Sequence, residues 1–287
     1  MLQKLRGILN ALRPNRGASV ETLLGQLSHP EDRQRWEAAE ALGVHSGQDR
    51  VAEALVDALG DAHPFVRWCA LESLTHSENE RVFALLQTAL NSSDPRRRSA
   101  AADALGKRGD ERAVPDLTNA LLSRNAQVRC GAAEALGRLA QVTAVPKLTK
   151  LLSDSDPHVR RAAVGALGSI GDPQAVPALL AALKDASALV RAGAADALQK
   201  IGDVSVATAL RQLLVDLDPG VRWYAARSLG TIGDEVSIAA LKPLLNDSAE
   251  VFGISVADAA RGAMERIQQR RLDEEQASQS DRSQAAS

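Results

Sequence analysis

One arginine recurs in the same sequence frame along most of the chain. It falls at Arg35, Arg67, Arg98, Arg129, Arg160, Arg191 and Arg222. Guanidinium groups bind carboxylates and phosphates through paired hydrogen bonds, so a row of them could recognise either anion. Each arginine also recurs near an aspartate of an intervening turn, which favours a simpler interpretation. We predict that the arginines form structural pairs that join adjacent repeats.

Two further columns in this frame vary between repeats, and function in a repeat protein is expected where exposed positions vary. The residue after the arginine, here called the aromatic column, reads Trp36, Trp68, Ser99, Cys130, Arg161, Ala192 and Trp223. The residue four positions further, here called the acidic column, reads Glu40, Glu72, Asp103, Glu134, Gly165, Asp196 and Arg227. Residues four apart share one face of a helix, so both columns should line one surface.

The tryptophans are concentrated in the aromatic column. Aromatic residues make up 2% of the chain, yet all 3 tryptophans fall in this one column. Large aromatic side chains supply much of the binding energy at protein interfaces. The predicted partner-binding residues are Trp36, Trp68, Trp223, Tyr224, Glu40, Glu72, Asp103, Glu134 and Asp196. The alternative is that each tryptophan packs flat on the next repeat and fills a gap.

The arginine recurs at a fixed period, and each period predicts a pair of helices that carries the two columns. Successive arginines are 32 residues apart once and 31 residues apart five times. Within one period, VPALLAALKD at 176–185 places its apolar residues on one helical stripe. Asp156-Pro157 then begins a second helix, since aspartate caps a helix N-terminus and proline fits the first turn. That helix ends at Gly171, where glycine adopts the left-handed C-cap conformation at little cost.

A helix pair of this size cannot bury its apolar faces alone, so successive pairs must stack. The sequence therefore predicts an all-α fold, a right-handed α-solenoid of about eight helix pairs with a 31-residue period. The array is expected over 17–267, after a capping helix and linker at 1–16 and before a disordered polar tail at 268–287. Both columns should lie on the surface of the second helices, which is normally the concave one in solenoids.

The repeat phrase VRRAAVGALGSIGDPQAVPAL at 159–179 resembles the HEAT-like repeats of the phycobilisome-lyase family. The resemblance extends over about 18–265. It implies the α-solenoid fold and two kinds of function. Such repeats occur in phycobilin lyase subunits and in phycobilisome-degradation adaptors, in a cyanobacterial protein that binds an iron-sulfur assembly factor, and in other scaffolds.

Two hypotheses follow from the resemblance and the two columns. The first is a noncatalytic adaptor or assembly factor that holds a partner protein on the concave face and needs no cofactor. The alternative is a phycobilin lyase or bilin-transfer chaperone subunit, which would cradle an open-chain tetrapyrrole and deliver it to a cysteine of a phycobiliprotein. Arg161 and Arg227 would then contact the tetrapyrrole propionates. Because few other cations are available for propionates, the adaptor is favoured.

Composition excludes several other classes of protein. The formal net charge of −2 and the pI of about 6.2 provide no basic field for nucleic acid. The chain has no apolar run near the roughly 20 residues of a membrane span, so stable membrane insertion is not expected. Cys69 and Cys130 lie in different repeats and form neither a metal cluster nor a disulfide framework. A cytoplasmic location is expected.

Catalytic and metal-binding patterns are weak in this sequence. It contains no His-Glu dipeptide of the kind that a di-iron hydroxylase built on HEAT-like repeats would carry. His63-Pro64 takes the place that Asp-Pro holds in other repeats, so we predict a helix cap rather than a metal ligand. Nucleotide-binding loops and nucleophile elbows are also absent. The acidic column would repel the phosphates that a DNA glycosylase must bind. A lyase subunit is the enzyme class that stays open.

Overall fold

The computed structural model describes residues 17–285, with side chains described as far as residue 277. The chain divides into two compact units at the boundary between Leu139 and Ala140. Each unit consists of helix pairs, and the described residues contain 16 α-helices and one two-stranded hairpin. The predicted fold class, an all-α solenoid of helix pairs, is confirmed. The predicted capping helix at 1–16 lies outside the described residues.

Unit 1 contains four helix pairs. Its first helices are α1 (Val20–Gln26), α3 (Asp49–Ala58), α5 (Arg81–Leu90) and α7 (Val114–Ala120). Its second helices are α2 (Asp32–Leu42), α4 (Pro64–Thr75), α6 (Pro95–Arg108) and α8 (Ala126–Arg138). Each first helix packs on the second helix of its own pair, and successive second helices pack side by side.

Unit 2 repeats this arrangement in four further pairs. Its first helices are α9 (Val145–Leu151), α11 (Val176–Ala182), α13 (Ala207–Gln212) and α15 (Glu235–Leu241). Its second helices are α10 (Pro157–Ile170), α12 (Ala188–Ile201), α14 (Pro219–Ile232) and α16 (Val256–Ala285). A hairpin of β1 (Glu250–Val251) and β2 (Ile254–Ser255) precedes α16, with Glu250 opposite Ser255.

The second helices begin and end mostly as the sequence predicts. Asp156 caps α10 by accepting a hydrogen bond from the His158 backbone N–H at 2.8 Å. Gly171 ends the same helix in the left-handed conformation, with φ of 74°. The His63 ring nitrogen accepts from the Phe65 N–H at 3.3 Å, which confirms the predicted cap.

Gly233, at the end of α14, departs from the left-handed stop that Gly171 forms at the end of α10. Its φ is −73° and its backbone is extended. The next helix begins at once, because Asp234 and Ser237 form a capping box in which each side chain accepts from the other residue's backbone N–H. An extended exit from α14 is what positions Asp234 as that cap.

Alanine and leucine fill the core between successive helices. In α10, Val159, Ala163 and Leu167 are completely buried. Burial of a leucine side chain contributes about 2 kcal/mol to stability, and alanine at neighbouring positions lets helices approach closely. The repeated pattern of buried small and large residues therefore stacks the pairs within each unit.

The last helix extends into 268–287, the stretch for which a disordered polar tail is expected. The structure continues α16 through Ala285. Ion pairs support this extension, since Arg271 contacts Glu235 of α15 at 2.8 Å and Glu275 one turn along the helix at 3.2 Å. Within the described residues, no helix combines the length and the apolar character that a membrane span requires.

Candidate functional site

The recurring arginines are held in the turns between repeats. Arg191 places Nε and Nη2 at 2.8 and 2.7 Å from the carboxylate oxygens of Asp216, which lies in the next repeat. Its Nη1 donates to the Asp185 backbone carbonyl at 2.8 Å. The same ion pair joins Arg35 to Asp61, Arg160 to Asp185, and Arg222 to Asp247. The prediction of structural pairs is confirmed at these four arginines.

Arg67 and Arg98 show what happens where the aspartate is missing. Ser92 and Ser123 stand at the positions that carry aspartate after the other arginines. Each serine keeps one role of the aspartate, which is to accept a hydrogen bond from the backbone of its own turn. The Ser92 hydroxyl accepts from the Asp94 N–H at 3.2 Å. Arg98 then binds only backbone, with Nη1 at 2.7 Å from the Ser92 carbonyl oxygen. Among the residues that the structure describes, these two arginines therefore bind carbonyl oxygens and form no ion pair.

The ion pairs also shift the titration of the aspartates. The hydrogen bond from Arg191 holds the pKa of Asp216 below its ordinary range, and burial opposes this effect. Arg160 lowers the pKa of Asp185 in the same way. At Asp61, burial acts to raise the pKa, but the hydrogen bonds from Arg35 and the His63 N–H outweigh it. The guanidinium groups of these arginines are therefore already bound to aspartates of the adjacent repeat.

The acidic column of unit 1 is interleaved with cations, which the sequence analysis did not foresee. Lys107 lies 2.9 Å from Glu72 and 3.7 Å from Asp103. Arg138 lies 2.7 Å from Asp103 and 3.9 Å from Glu134. The expected acidic stripe is therefore an alternating network of ion pairs. A signal was present in the sequence, because Lys107 and Arg138 each stand four residues after a column acid.

The acidic column of unit 2 shows the same neutralisation at one position. Asp196 of α12 lies 2.9 Å from Lys200 and 3.1 Å from Arg227 of α14. In unit 1, the column acids Glu40, Glu72 and Asp103 are half-buried. The column contributes fixed, mostly paired charges, and it does not present a uniformly negative surface.

Three aromatic rings gather in unit 1. Phe65 of α4 meets Trp36 of α2 edge to face, with ring centroids 5.1 Å apart. Phe65 also stacks on Trp68, at 5.2 Å and an interplanar angle of 14°. We call Trp36, Phe65 and Trp68 the aromatic cluster. Phe65 was not among the predicted site residues, although its spacing of three residues from Trp68 places the two on one helical face.

The aromatic cluster is open to solvent at one end. Trp68 is 48% exposed, whereas Trp36 and Phe65 are half-buried. Cys69, the residue after Trp68 in α4, is 3% exposed, and burial raises the pKa of its thiol to about 12, with smaller contributions from Glu40 and Glu72. Both column acids therefore act on the region around the cluster. A half-exposed indole on a rigid helix, flanked by carboxylates, is the kind of group that anchors a protein interface.

The second aromatic group lies in unit 2. Trp223 of α14 meets Tyr224 and Phe252 edge to face, with centroid distances of 5.0 and 6.2 Å. The Arg227 guanidinium lies 5.7 Å from the Trp223 ring centroid. Phe252, at the tip of the hairpin, is 80% exposed. Phe252 was not among the predicted site residues, because Phe252-Gly253 replaces the recurring Val-Arg in the last repeat and breaks the frame there.

Beside Trp223, a cleft of about 500 Å³ opens between α14 and α16. We call it the terminal cleft. The residues that matter for its chemistry are Gln199, Trp223, Arg227, Ile254, Gly262 and Arg266. Arg266 was also missed by sequence analysis, since the last repeat has no arginine in the recurring frame.

The two arginines expected to contact a tetrapyrrole lie on different second helices of unit 2. Arg161 lies on α10 and is exposed, whereas Arg227 lies on α14 and pairs with Asp196. The second helix α12 packs between these two helices. Packed helices are roughly 8–10 Å apart, so the two helix axes are separated by about 16–20 Å.

Comparisons with known proteins agree with this architecture. A model of the family described as HEAT repeats matches residues 20–105, 53–129, 114–199 and 176–260. No curated protein matches the sequence. The solved structure of YibA from E. coli aligns with a TM-score of 0.63 and 20% identity, over 86% of this chain and 92% of that chain. That likeness shows the fold alone.

Two further solved structures are more distant. An engineered protein aligns at a TM-score of 0.49 and 24% identity, over 86% of this chain and 78% of that chain. The complex of CpcE and CpcF of phycocyanin lyase from Nostoc sp. aligns at a TM-score of 0.42 and 26% identity, over 87% of this chain and 94% of that chain. At these TM-scores neither structure carries an argument about function.

Proposed function

The chain belongs to the HEAT repeat family, and we propose that it is a noncatalytic scaffold or assembly factor that binds a partner protein on its second helices. The observation that carries this proposal is the aromatic cluster of Trp36, Phe65 and Trp68. A HEAT array provides a long, rigid surface, and an interface on it needs a few well-placed anchors.

The exposure of Trp68 argues against the gap-filling alternative in unit 1. A ring that only fills a space between repeats would be enclosed on both faces by its neighbours. Trp68 instead stacks on Phe65 with one face and remains 48% exposed. Because Trp68 is already stacked on Phe65, which Trp36 contacts in turn, binding costs little side-chain entropy. The cluster is therefore prepared to receive an apolar side chain.

The charges near the cluster indicate the chemistry of the partner. Glu40 and Glu72 both act electrostatically on the thiol of Cys69, the residue after Trp68, and Lys107 pairs with Glu72 at 2.9 Å. A partner helix with an apolar stripe and basic residues on its borders would complement this arrangement. The residues expected to contact the partner in unit 1 are Trp36, Phe65, Trp68, Glu40 and Glu72.

An affinity experiment with the full chain tests this function. The Trp36→Ala/Trp68→Ala variant removes the cluster, and Leu122→Ala is the matched control, since Leu122 is an apolar residue of the same unit that is 76% exposed. A partner retained from source-cell lysate by the wild type and by the control should be lost from the double variant. With the purified partner, calorimetry should show at least a tenfold weaker Kd, or about 1.4 kcal/mol. Equal retention by the double variant would contradict the proposal.

The alternative function, a bilin lyase or bilin-transfer subunit, rests on the sequence resemblance of the repeat phrase. The same experiment distinguishes it. Visible tetrapyrrole absorbance that co-elutes with the wild-type chain would support the bilin function, whereas a colourless protein partner supports the scaffold. For the bilin function we expect Arg161→Gln or Arg227→Gln to reduce that absorbance.

A further inference from the structure

The terminal cleft has a floor that lacks large side chains. Ala259 and Gly262 of α16 line it, and only the Arg266 guanidinium would lie near a β-carbon added at Gly262, at 3.4 Å. Trp223 and Ile254 supply apolar walls, and Ile254 is 46% exposed. The volume of about 500 Å³ is within the range of sites that bind small molecules and peptide side chains.

The cleft also contains positive charge that the repeats do not neutralise. Within the part of the chain that the structure describes, Arg266 forms no hydrogen bond or ion pair. Its guanidinium lies against α14 over Gly230, where an added β-carbon would fall 2.6 Å from Nη2. The carboxylate in the cleft wall, Asp258, is already engaged by Ser255 and Arg261. The unpaired guanidinium therefore favours an incoming anion.

Two residues that line the cleft each carry a buried polar atom that lacks a hydrogen-bond partner among the described residues. The Trp223 indole nitrogen is a donor, and the Gln199 carbonyl oxygen Oε1 is an acceptor. Unsatisfied buried polar groups are costly, so such a pair in one cleft calls for an explanation. A peptide group offers both the missing acceptor and the missing donor. Since both atoms are shielded from solvent, a side-chain rotation must accompany these bonds.

We propose that the terminal cleft binds a peptide segment that carries a carboxylate next to an apolar side chain. The carboxylate pairs with Arg266, and the apolar side chain lies against Trp223 and Ile254 over Gly262. Arg227 adds positive charge at the wall, where it already pairs with Asp196 and faces Trp223. This inference rests on the proposed scaffold function and identifies a second contact region, in unit 2, with the opposite charge preference to that of the aromatic cluster.

A phage-displayed library of random short peptides, panned on the immobilised full chain, tests the proposal. We expect the enriched peptides to place Asp or Glu beside Leu, Ile, Phe or Trp. A synthetic copy of an enriched peptide should bind at least tenfold more weakly to Arg266→Gln than to the wild type, because one charge-assisted pair is lost. The matched control is Arg271→Gln, which removes an arginine of the same helix that lines a different groove and pairs with Glu235.

A second variant blocks the cleft without changing its charge. Gly262→Leu fills the floor at a helical position, and binding of the peptide should be abolished. Arg266 is exposed, so Arg266→Gln is expected to fold normally. The proposal can therefore be tested with that variant even if Gly262→Leu fails to fold.

Three outcomes would overturn the inference. In the first, no peptide with the acidic and apolar pattern is enriched. In the second, the enriched peptides bind Arg266→Gln as well as the wild type but do not bind Trp36→Ala/Trp68→Ala. That result would support the scaffold function and show that the terminal cleft is not the binding site. In the third, biliverdin binds with dependence on Arg266 and peptides do not, which makes the occupant a tetrapyrrole.

Discussion

Gly168 of α10 lies so close to α12 that a β-carbon on Gly168 would fall 2.7 Å from the Ala197 β-carbon and 2.8 Å from its α-carbon. Backbone atoms cannot move aside as the end of a flexible side chain can. Gly165, only three residues earlier in the same helix, has open space where its β-carbon would be. The two glycines therefore have different physical roles, one for close helix packing and one on the surface.

The first prediction compares Gly168→Ala with Gly165→Ala. Alanine is favoured over glycine within a helix by about 1 kcal/mol, and Gly165→Ala should raise the free energy of unfolding by about 0.5–1 kcal/mol. At Gly168 the clash with Ala197 outweighs that gain, and a net loss of about 1–2 kcal/mol is expected. Urea unfolding followed by circular dichroism measures both values. Equal effects of the two substitutions would contradict the packing argument.

The second prediction concerns the Cys69 thiol. It is buried, and its pKa is raised to about 12, so very little thiolate is present at neutral pH. In the Cys130→Ser background, the reaction of Cys69 with a disulfide reagent should be slow in buffer and fast in denaturant. We expect the slow rate to increase when Leu71→Ala leaves a cavity in the buried face of the same helix, since Leu71 is 6% exposed. A fast reaction in the folded Cys130→Ser chain would show that the thiol is accessible.

The helix pairs could be predicted because their signals are local. Asp156-Pro157 and Gly171 specify one helix start and one helix end, whatever the neighbouring repeats contain. The exit from α14 at Gly233 could not be inferred in the same way, since its conformation depends on the capping box formed by Asp234 and Ser237. The ion pair that Arg271 of α16 makes with Glu235 of α15 is likewise a contact between helices, and polar composition alone does not reveal it.

The candidate site could be predicted only where it follows the repeat frame. Trp36 and Trp68 occupy the same position in two repeats, and the structure joins them through Phe65, which stands outside that position. Arg266 lies in the last repeat, where the frame is broken, so it had no position to compare with. Contacts between residues in different columns depend on helix packing, and a one-dimensional alignment of repeats does not contain them.

The third prediction uses the serines that replace aspartate in unit 1. Arg191→Ala leaves Asp216, whose side chain is 11% exposed, without its cation, whereas Arg98→Ala removes only bonds to backbone carbonyls. We expect a loss of about 2–3 kcal/mol for Arg191→Ala and about 1 kcal/mol for Arg98→Ala, measured by thermal unfolding. Asp216→Asn restores charge balance when combined with Arg191→Ala and should recover part of the loss. A larger effect at Arg98 would contradict this account.

The fourth prediction is the pH dependence of stability. Hydrogen bonds from Arg160, Arg191 and Arg222 lower the folded-state pKa of Asp185, Asp216 and Asp247. An unfolded aspartate titrates near 3.9, so in acid the unfolded chain binds more protons than the folded chain. The stabilisation is complete above that value and is lost as the pH falls through the lower folded-state pKa values.

The melting temperature should therefore begin to fall as the pH drops below about 5 and continue to fall through pH 3. Asp216→Asn removes one of the titrating groups yet can still accept the turn hydrogen bond from the Asp218 N–H, which is 2.9 Å long. The variant should be less stable at neutral pH and should show a shallower decline in acid. Glu265→Gln, which removes an exposed carboxylate of the same unit, controls for the change in net charge. An unchanged acid slope in Asp216→Asn would mean that other carboxylates govern acid unfolding.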